Sequence, residues 1–239
     1  MKFTYLLLNL FTISIPLLRS FEHRIYFYGK WKHFIPANII TAIFFLVWDY
    51  FKTKHGIWHF NEDYIIGLKF FGLPLEEYLF FFTVPYACTF IYEAVWLFLK
   101  RRILPAFVLS FVQYLSVLSL VLSPFFFDKA YTFSVLFIGG LVFLFISYSL
   151  NSERMEKFMI TYLISIFPML FVNGVLTALP VVIYNDTQNL DIRVGTIPVE
   201  DFIYSAILLV MNIGLYEWQK SKHFRYTLTN PSSHQVVSH

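Results

Sequence analysis

Two adjacent carboxylates, Glu76 and Glu77, stand directly behind Pro74 at the head of the aromatic run Gly72-Leu-Pro-Leu-Glu-Glu-Tyr-Leu-Phe-Phe-Phe82. A charge at the edge of a hydrocarbon-embedded helix is costly and is usually kept for a purpose. Two neighbouring carboxyls in a low dielectric do not both ionise, so one remains a proton donor while the other stays a carboxylate. The pattern occurs twice. Thr196-Ile-Pro-Val-Glu-Asp-Phe-Ile-Tyr204 carries Glu200 and Asp201 at a spacing of 124 (200 − 76 and 201 − 77). There is a plainer account: proline suits a first helical turn, and acids there meet the positive end of the helix dipole. It would suffice for one motif. Two motifs, with Asp49 and Asn173 repeated ahead of them at the same spacing, point to function.

The spacing extends well beyond the acids. Phe60-Asn61-Glu62 falls on Tyr184-Asn185-Asp186, Lys69 on Arg193, and Tyr92-Glu93 on Tyr216-Glu217. Leu17/Leu141, Phe21/Phe145, Phe34/Phe158 and Leu46/Leu170 match as well, although apolar matches alone mean little in so greasy a chain. Polar matches in register read as a duplicated unit. The expected organisation is one repeat over 1–99, a linking helix over 100–124, a second repeat over 125–220, and a polar, disordered tail over 221–239.

The elements that must position these residues are membrane helices. The chain has 239 residues, 58% hydrophobic and 21% aromatic, with only 14% charge, against about 25% charged residues in soluble domains. Spans of about 20 apolar residues are predicted near 3–20, 34–51, 76–98, 103–123, 131–150, 158–176 and 200–219. The fold class is therefore an all-α integral membrane protein of seven helices, with two parallel three-helix repeats and a linker helix. The N-terminal apolar stretch lacks a small-residue cleavage site and reads as the first span, not as a signal peptide. Lys and Arg accumulate after spans one, three, five and seven, which places the N-terminus outside and the C-terminus in the cytoplasm. The net charge of +3 sits in loops and does not indicate nucleic acid. Cys88 is alone, which excludes an intrachain disulfide or a cysteine metal cluster. The 30 Phe and 16 Tyr suit a cavity for a flat conjugated ligand, although lipid-facing packing explains most single phenylalanines. Loops 52–75 and 177–199 each lead into an acid motif and are long enough to cover a site.

Pro-Leu-Glu-Glu-Tyr-Leu-Phe-Phe-Phe followed by Tyr92-Glu93 resembles the first half of the membrane-embedded carotenoid (lycopene) cyclases of bacteria and fungi. Ile-Pro-Val-Glu-Asp-Phe-Ile-Tyr followed by Tyr216-Glu217 resembles the second half. The resemblance covers residues 1–220 and is to the fused, cyclase-only form. The second half departs from the pattern in Asp201 for Glu, Phe202 for Tyr and Ser205 for Phe. It implies cyclisation of the ψ-end groups of lycopene, most simply to β-carotene via γ-carotene, by an intramolecular lyase or isomerase in the cell membrane. The implied partners are a linear carotenoid, the lipid bilayer and other enzymes of carotenoid synthesis.

Such a cyclisation is redox-neutral. An acid protonates the terminal double bond, an internal alkene attacks the tertiary cation, and a base removes a proton. No cofactor is expected, and no G-x-G-x-x-G follows a strand. Glu76 or Glu77 is the expected donor, with Glu200 and Asp201 stabilising the cation or accepting the proton. Tyr78, Phe81, Phe82 and Tyr204 are candidates for cation-facing aromatics, and Asp49 and Asn173 for groups beside the acids. Glu93 and Glu217 lie at the far ends of their helices and are expected to partner loop cations. A metal enzyme fits poorly: only His55-x-x-x-His59 with Glu62 is present, and the second repeat has Leu179 and Ile183 instead. A retinal-binding photoreceptor would need a lysine in span seven, which has none. The alternative from another class is a small-solute transporter with parallel three-helix repeats.

Overall fold

The computed structural model describes residues 1–101, 104 and 107–229. Arg102, the predicted start of the fourth span at 103, and residues 230–239 lie outside them. Seven α-helices are present among the described residues: α1 (Thr4–Arg19), α2 (Trp31–Lys54), α3 (Leu75–Phe98), α4 (Val108–Leu122), α5 (Ala130–Ser149), α6 (Ser152–Ala178) and α7 (Val199–Thr229). Six segments are long and apolar enough to cross a membrane. The exception is α1, whose 16 residues span about 24 Å at 1.5 Å per residue. Helix α7 runs past its predicted end at 219 into the polar tail, where the sequence suggested no structure.

Helices α3 and α7 are the most enclosed. Helix α1 packs on α3 as α5 packs on α7, while α2 lies against α7 and α6 against α3. Pro85, inside α3, cannot bond the Phe81 carbonyl one turn back. The Asn38 amide on α2 donates to that carbonyl instead, at 3.0 Å. Pro74 and Pro198 sit just before their helices, one position earlier than the sequence suggested. A residue preceding proline avoids the helical region, and Leu73 and Ile197 accordingly lie in strands.

The two long loops are built alike. Short hairpins β2 (Lys69–Phe70) with β3 (Leu73–Pro74), and β5 (Arg193–Val194) with β6 (Ile197–Pro198), lead into α3 and α7. Lys69 pairs with Glu62 as Arg193 pairs with Asp186. Gly67 and Asp191, 124 apart (191 − 67), both adopt positive φ. Strands β1 (Trp58–Phe60) and β4 (Val182–Tyr184) pair antiparallel across the middle of the molecule. The Asn61 N–H donates to Val181 O at 2.9 Å, and the Asn185 N–H donates to Ile57 O at 2.8 Å. Such an exchange between corresponding residues is what a local two-fold rotation between the segments produces.

Candidate active site

Consecutive helix residues point about 100° apart, and this separates the two acids of each pair. Glu76 turns to its own loop, where Oε1 accepts the Ile66 N–H at 2.7 Å. Glu200 does the same, accepting the Leu190 N–H at 2.8 Å and the Thr132 hydroxyl at 2.6 Å. Both are fully buried loop clamps, and neither lines the cavity. Glu77 and Asp201 turn the other way, into a mostly apolar cavity of about 320 Å³ between α1, α3, α6 and α7. Trp58, Phe60, Val182 and Tyr184, from the paired strands β1 and β4, line its end over the acids as a roof.

The partners of the two cavity acids differ. The Tyr5 hydroxyl donates to Glu77 Oε2 at 2.5 Å. Asp49 lies within hydrogen-bonding reach of Glu77, and Asp49 Oδ1 accepts the Tyr204 hydroxyl at 2.6 Å. Like charge at such close quarters disfavours ionising both carboxyls. Asp201 instead faces donors. It accepts the Tyr131 hydroxyl at 2.6 Å, the Tyr184 hydroxyl at 2.9 Å and the Asn173 amide at 3.3 Å. Withdrawal from solvent and the Asp201 carboxylate push the Tyr184 phenol well above its usual range, so it remains a donor. The Lys52 ammonium, buried in the last turn of α2, bonds the Ala130 carbonyl at 2.9 Å and Ser134, and lies 5.3 Å from the Tyr131 ring centroid. It ties α2 to the start of α5.

Of the residues singled out by sequence, Asp49, Glu77, Asn173, Asp201 and Tyr204 line the cavity, and Glu76 and Glu200 do not. Three of the aromatic candidates are misplaced. The Tyr78 hydroxyl bonds the Phe70 carbonyl at 2.8 Å, Phe81 is packed against Phe45, and Phe82 faces Phe34 and Tyr86. None of the three lines the cavity. Helical periodicity from Glu77 selects Phe80, Val84, Cys88 and Ile91, which do line it. Tyr5, Tyr131 and Tyr184 also line the cavity, and residue spacing does not mark them as site residues. The two helices bearing Tyr5 and Tyr131 correspond at 126 (131 − 5), so a uniform spacing of 124 misaligns them, and with them the Leu17/Leu141 and Phe21/Phe145 pairs.

At the opposite ends of α3 and α7, Glu93 pairs with Lys30 and Lys220, and Glu217 with Arg154 and Lys220. Those acids serve ion pairs, as expected, although Arg154 and Lys220 stand on α6 and α7 and not in loops. His55 and His59 are exposed, and among the described residues no three His, Cys, Asp or Glu side chains gather as metal ligands would.

The geometry can be set against known proteins. The chain matches the family model described as lycopene cyclase over residues 2–95 and 128–219. It is similar to a bifunctional lycopene cyclase/phytoene synthase of Podospora anserina, 31% identical over 96 residues, covering 38% of this chain and 14% of that protein. Proteins of the same description from Neurospora crassa and Arthroderma gypseum are each 31% identical, over 77 and 68 residues. Those matches cover 31% and 28% of this chain and 12% and 11% of the relatives, so the matched stretch is a small part of each relative's length. No solved structure matches. With both acid motifs and the cavity acids inside the two matched segments, the chain belongs to the lycopene cyclase family.

Proposed function

We propose that the chain closes the ψ-end groups of lycopene into β-rings by acid catalysis, giving β-carotene via γ-carotene. One observation carries this reading: two unlike carboxyl sites, Glu77 with Asp49 and Asp201 with its three donors, converge on one apolar chamber. The Glu77–Asp49 pair, holding one proton between them, is the acid. It protonates the terminal double bond, the internal alkene attacks the tertiary cation and closes the ring, and Asp201 takes the proton the ring cation loses. One proton enters and one leaves, so the formula and redox state do not change. Removing one preorganised electrostatic partner typically costs about 3–4 kcal/mol, and aromatic faces such as Tyr204 and Phe80 add about 0.5–2 kcal/mol each to cation stabilisation.

The two halves, 1–99 and 125–220, are read as copies of one three-helix unit related by an axis along the membrane normal, with the N-terminus outside. A transporter built from such repeats would hold its polar groups near mid-membrane. Here the acids stand at helix heads beneath a roof, which favours the enzyme.

The test is expression in a lycopene-accumulating bacterial host, with pigments resolved by chromatography. Wild type is expected to deplete lycopene and form ringed products, while a normally inserted Glu77→Gln leaves lycopene unchanged. Unchanged lycopene with wild-type protein abundant in the membrane would overturn the reading.

A further inference from the structure

Corresponding positions in the two halves are filled in opposite ways. Pro168, Met169 and Val172 on α6 line the chamber; their counterparts 124 residues earlier on α2 are Phe44, Phe45 and Trp48. Ser205 on α7 lines the chamber, and its counterpart on α3 is Phe81. Phe45 and Phe81 are fully buried, with ring centroids 5.6 Å apart. The Tyr204 ring lies 5.1 Å from both Phe45 and Trp48. The space that would mirror the chamber is therefore plugged by the protein's own rings.

The open chamber also has a window. Phe11 and Ile15 line it, yet they are 56% and 63% exposed on the outer surface of α1. Beside them α1 meets α6 through the Phe11 and Phe171 rings, 5.3 Å apart. The roof closes the opposite, loop side. A cavity of about 320 Å³ lies at the small end of the ~300–1,000 Å³ range for sites that enclose a drug-sized molecule. Such a volume has room for the end of a forty-carbon polyene, with the remainder outside.

We propose that the protein has one end-group chamber, entered from the bilayer between α1 and α6, so that a linear polyene is processed one end at a time. Ser205 and Met169 are the specificity-determining residues that keep the chamber open. The proposal rests on the reading of the occupant as a carotenoid end group. It follows that the one-ring product leaves, reverses and returns before the second ring forms.

Two substitutions restore the plug, Ser205→Phe and Met169→Phe. In the lycopene-accumulating host, each is expected to lose one-ring and two-ring products together, to background, at wild-type membrane abundance. Continued formation of the one-ring product by either variant would overturn the proposal, because a second chamber would still be serving one end. Purified wild type in nanodiscs supplies an arm independent of variant folding: lycopene titrated against tryptophan fluorescence should saturate at one molecule per chain. Saturation at two sinks the proposal. Absence of cyclisation by wild type, with binding still saturating at one, would remove the assigned reaction and leave the single chamber standing.

Discussion

The first half sets a second carboxyl, Asp49, against its cavity acid; the second half sets an amide, Asn173, at the matching place. Around them the frame is nearly the same, down to the loop clamp on Glu76 and Glu200 and the tyrosine on Glu77 and Asp201. A single change from carboxyl to amide replaces a carboxyl–carboxyl contact with a carboxyl that faces donors alone. On the proposed reading, that one difference divides acid from base between two similar frames without altering the helices that carry them.

The largest effect is expected from removing the acid itself. Glu77→Gln should reduce cyclisation by about 10³-fold or more, and Asp201→Asn by about 10²–10³-fold, within the range general acids and bases contribute. Initial rates of pigment conversion in isolated membranes measure both, and equal retention of activity in the two would erase the distinction between the halves. Making the halves alike is the sharper trial. Asp49→Asn removes the shared proton and Asn173→Asp sets a second carboxyl against the base; each should cost about 10²-fold, the scale of losing one acid–base partner, and a harmless exchange would show that the asymmetry is incidental. Below these come Tyr5→Phe and Tyr131→Phe. Each deletes one hydrogen bond to a charged group, about 1.5–3 kcal/mol, and so about 10–100-fold in rate. Glu76→Gln and Glu200→Gln should act on stability instead, by about 1–3 kcal/mol for the weakened buried clamp. Thermal unfolding should show the larger loss for Glu200, which accepts from Thr132 as well as Leu190. The smallest effect lies in the hairpin tips. Phe71 holds φ +50° where the other half has Gly195 at +64°, so Phe71→Gly should relieve about 1 kcal/mol of left-handed strain and slightly raise the unfolding temperature.

Much of this was legible in residue types. The helices follow from apolar runs, and Asp49, Asn173, Glu77 and Asp201 from polar matches at one spacing. The division within each acid pair follows from a rule more general than residue type: two adjacent helix residues cannot share a face, so only one acid of each pair turns inward. Tyr78, Phe81 and Phe82 are close to the acids in sequence, whereas positions three, seven and eleven beyond Glu77 face the cavity. The plug was invisible for another reason: Phe45 over Met169 and Phe81 over Ser205 look like tolerated differences until packing shows that one set fills what the other leaves empty.

The strand pair β1–β4 closes the loop side of the chamber with main-chain bonds contributed by both halves. Under the proposed entry between α1 and α6, a substrate arriving through the lipid never requires that roof to open. A tertiary cation reached by water is captured as an alcohol, and one kept dry survives long enough to meet its own alkene. If the proposed cyclisation is the reaction, the seal across β1 and β4 governs fidelity, the ratio of rings to hydrated chain ends, separately from how fast the acids work.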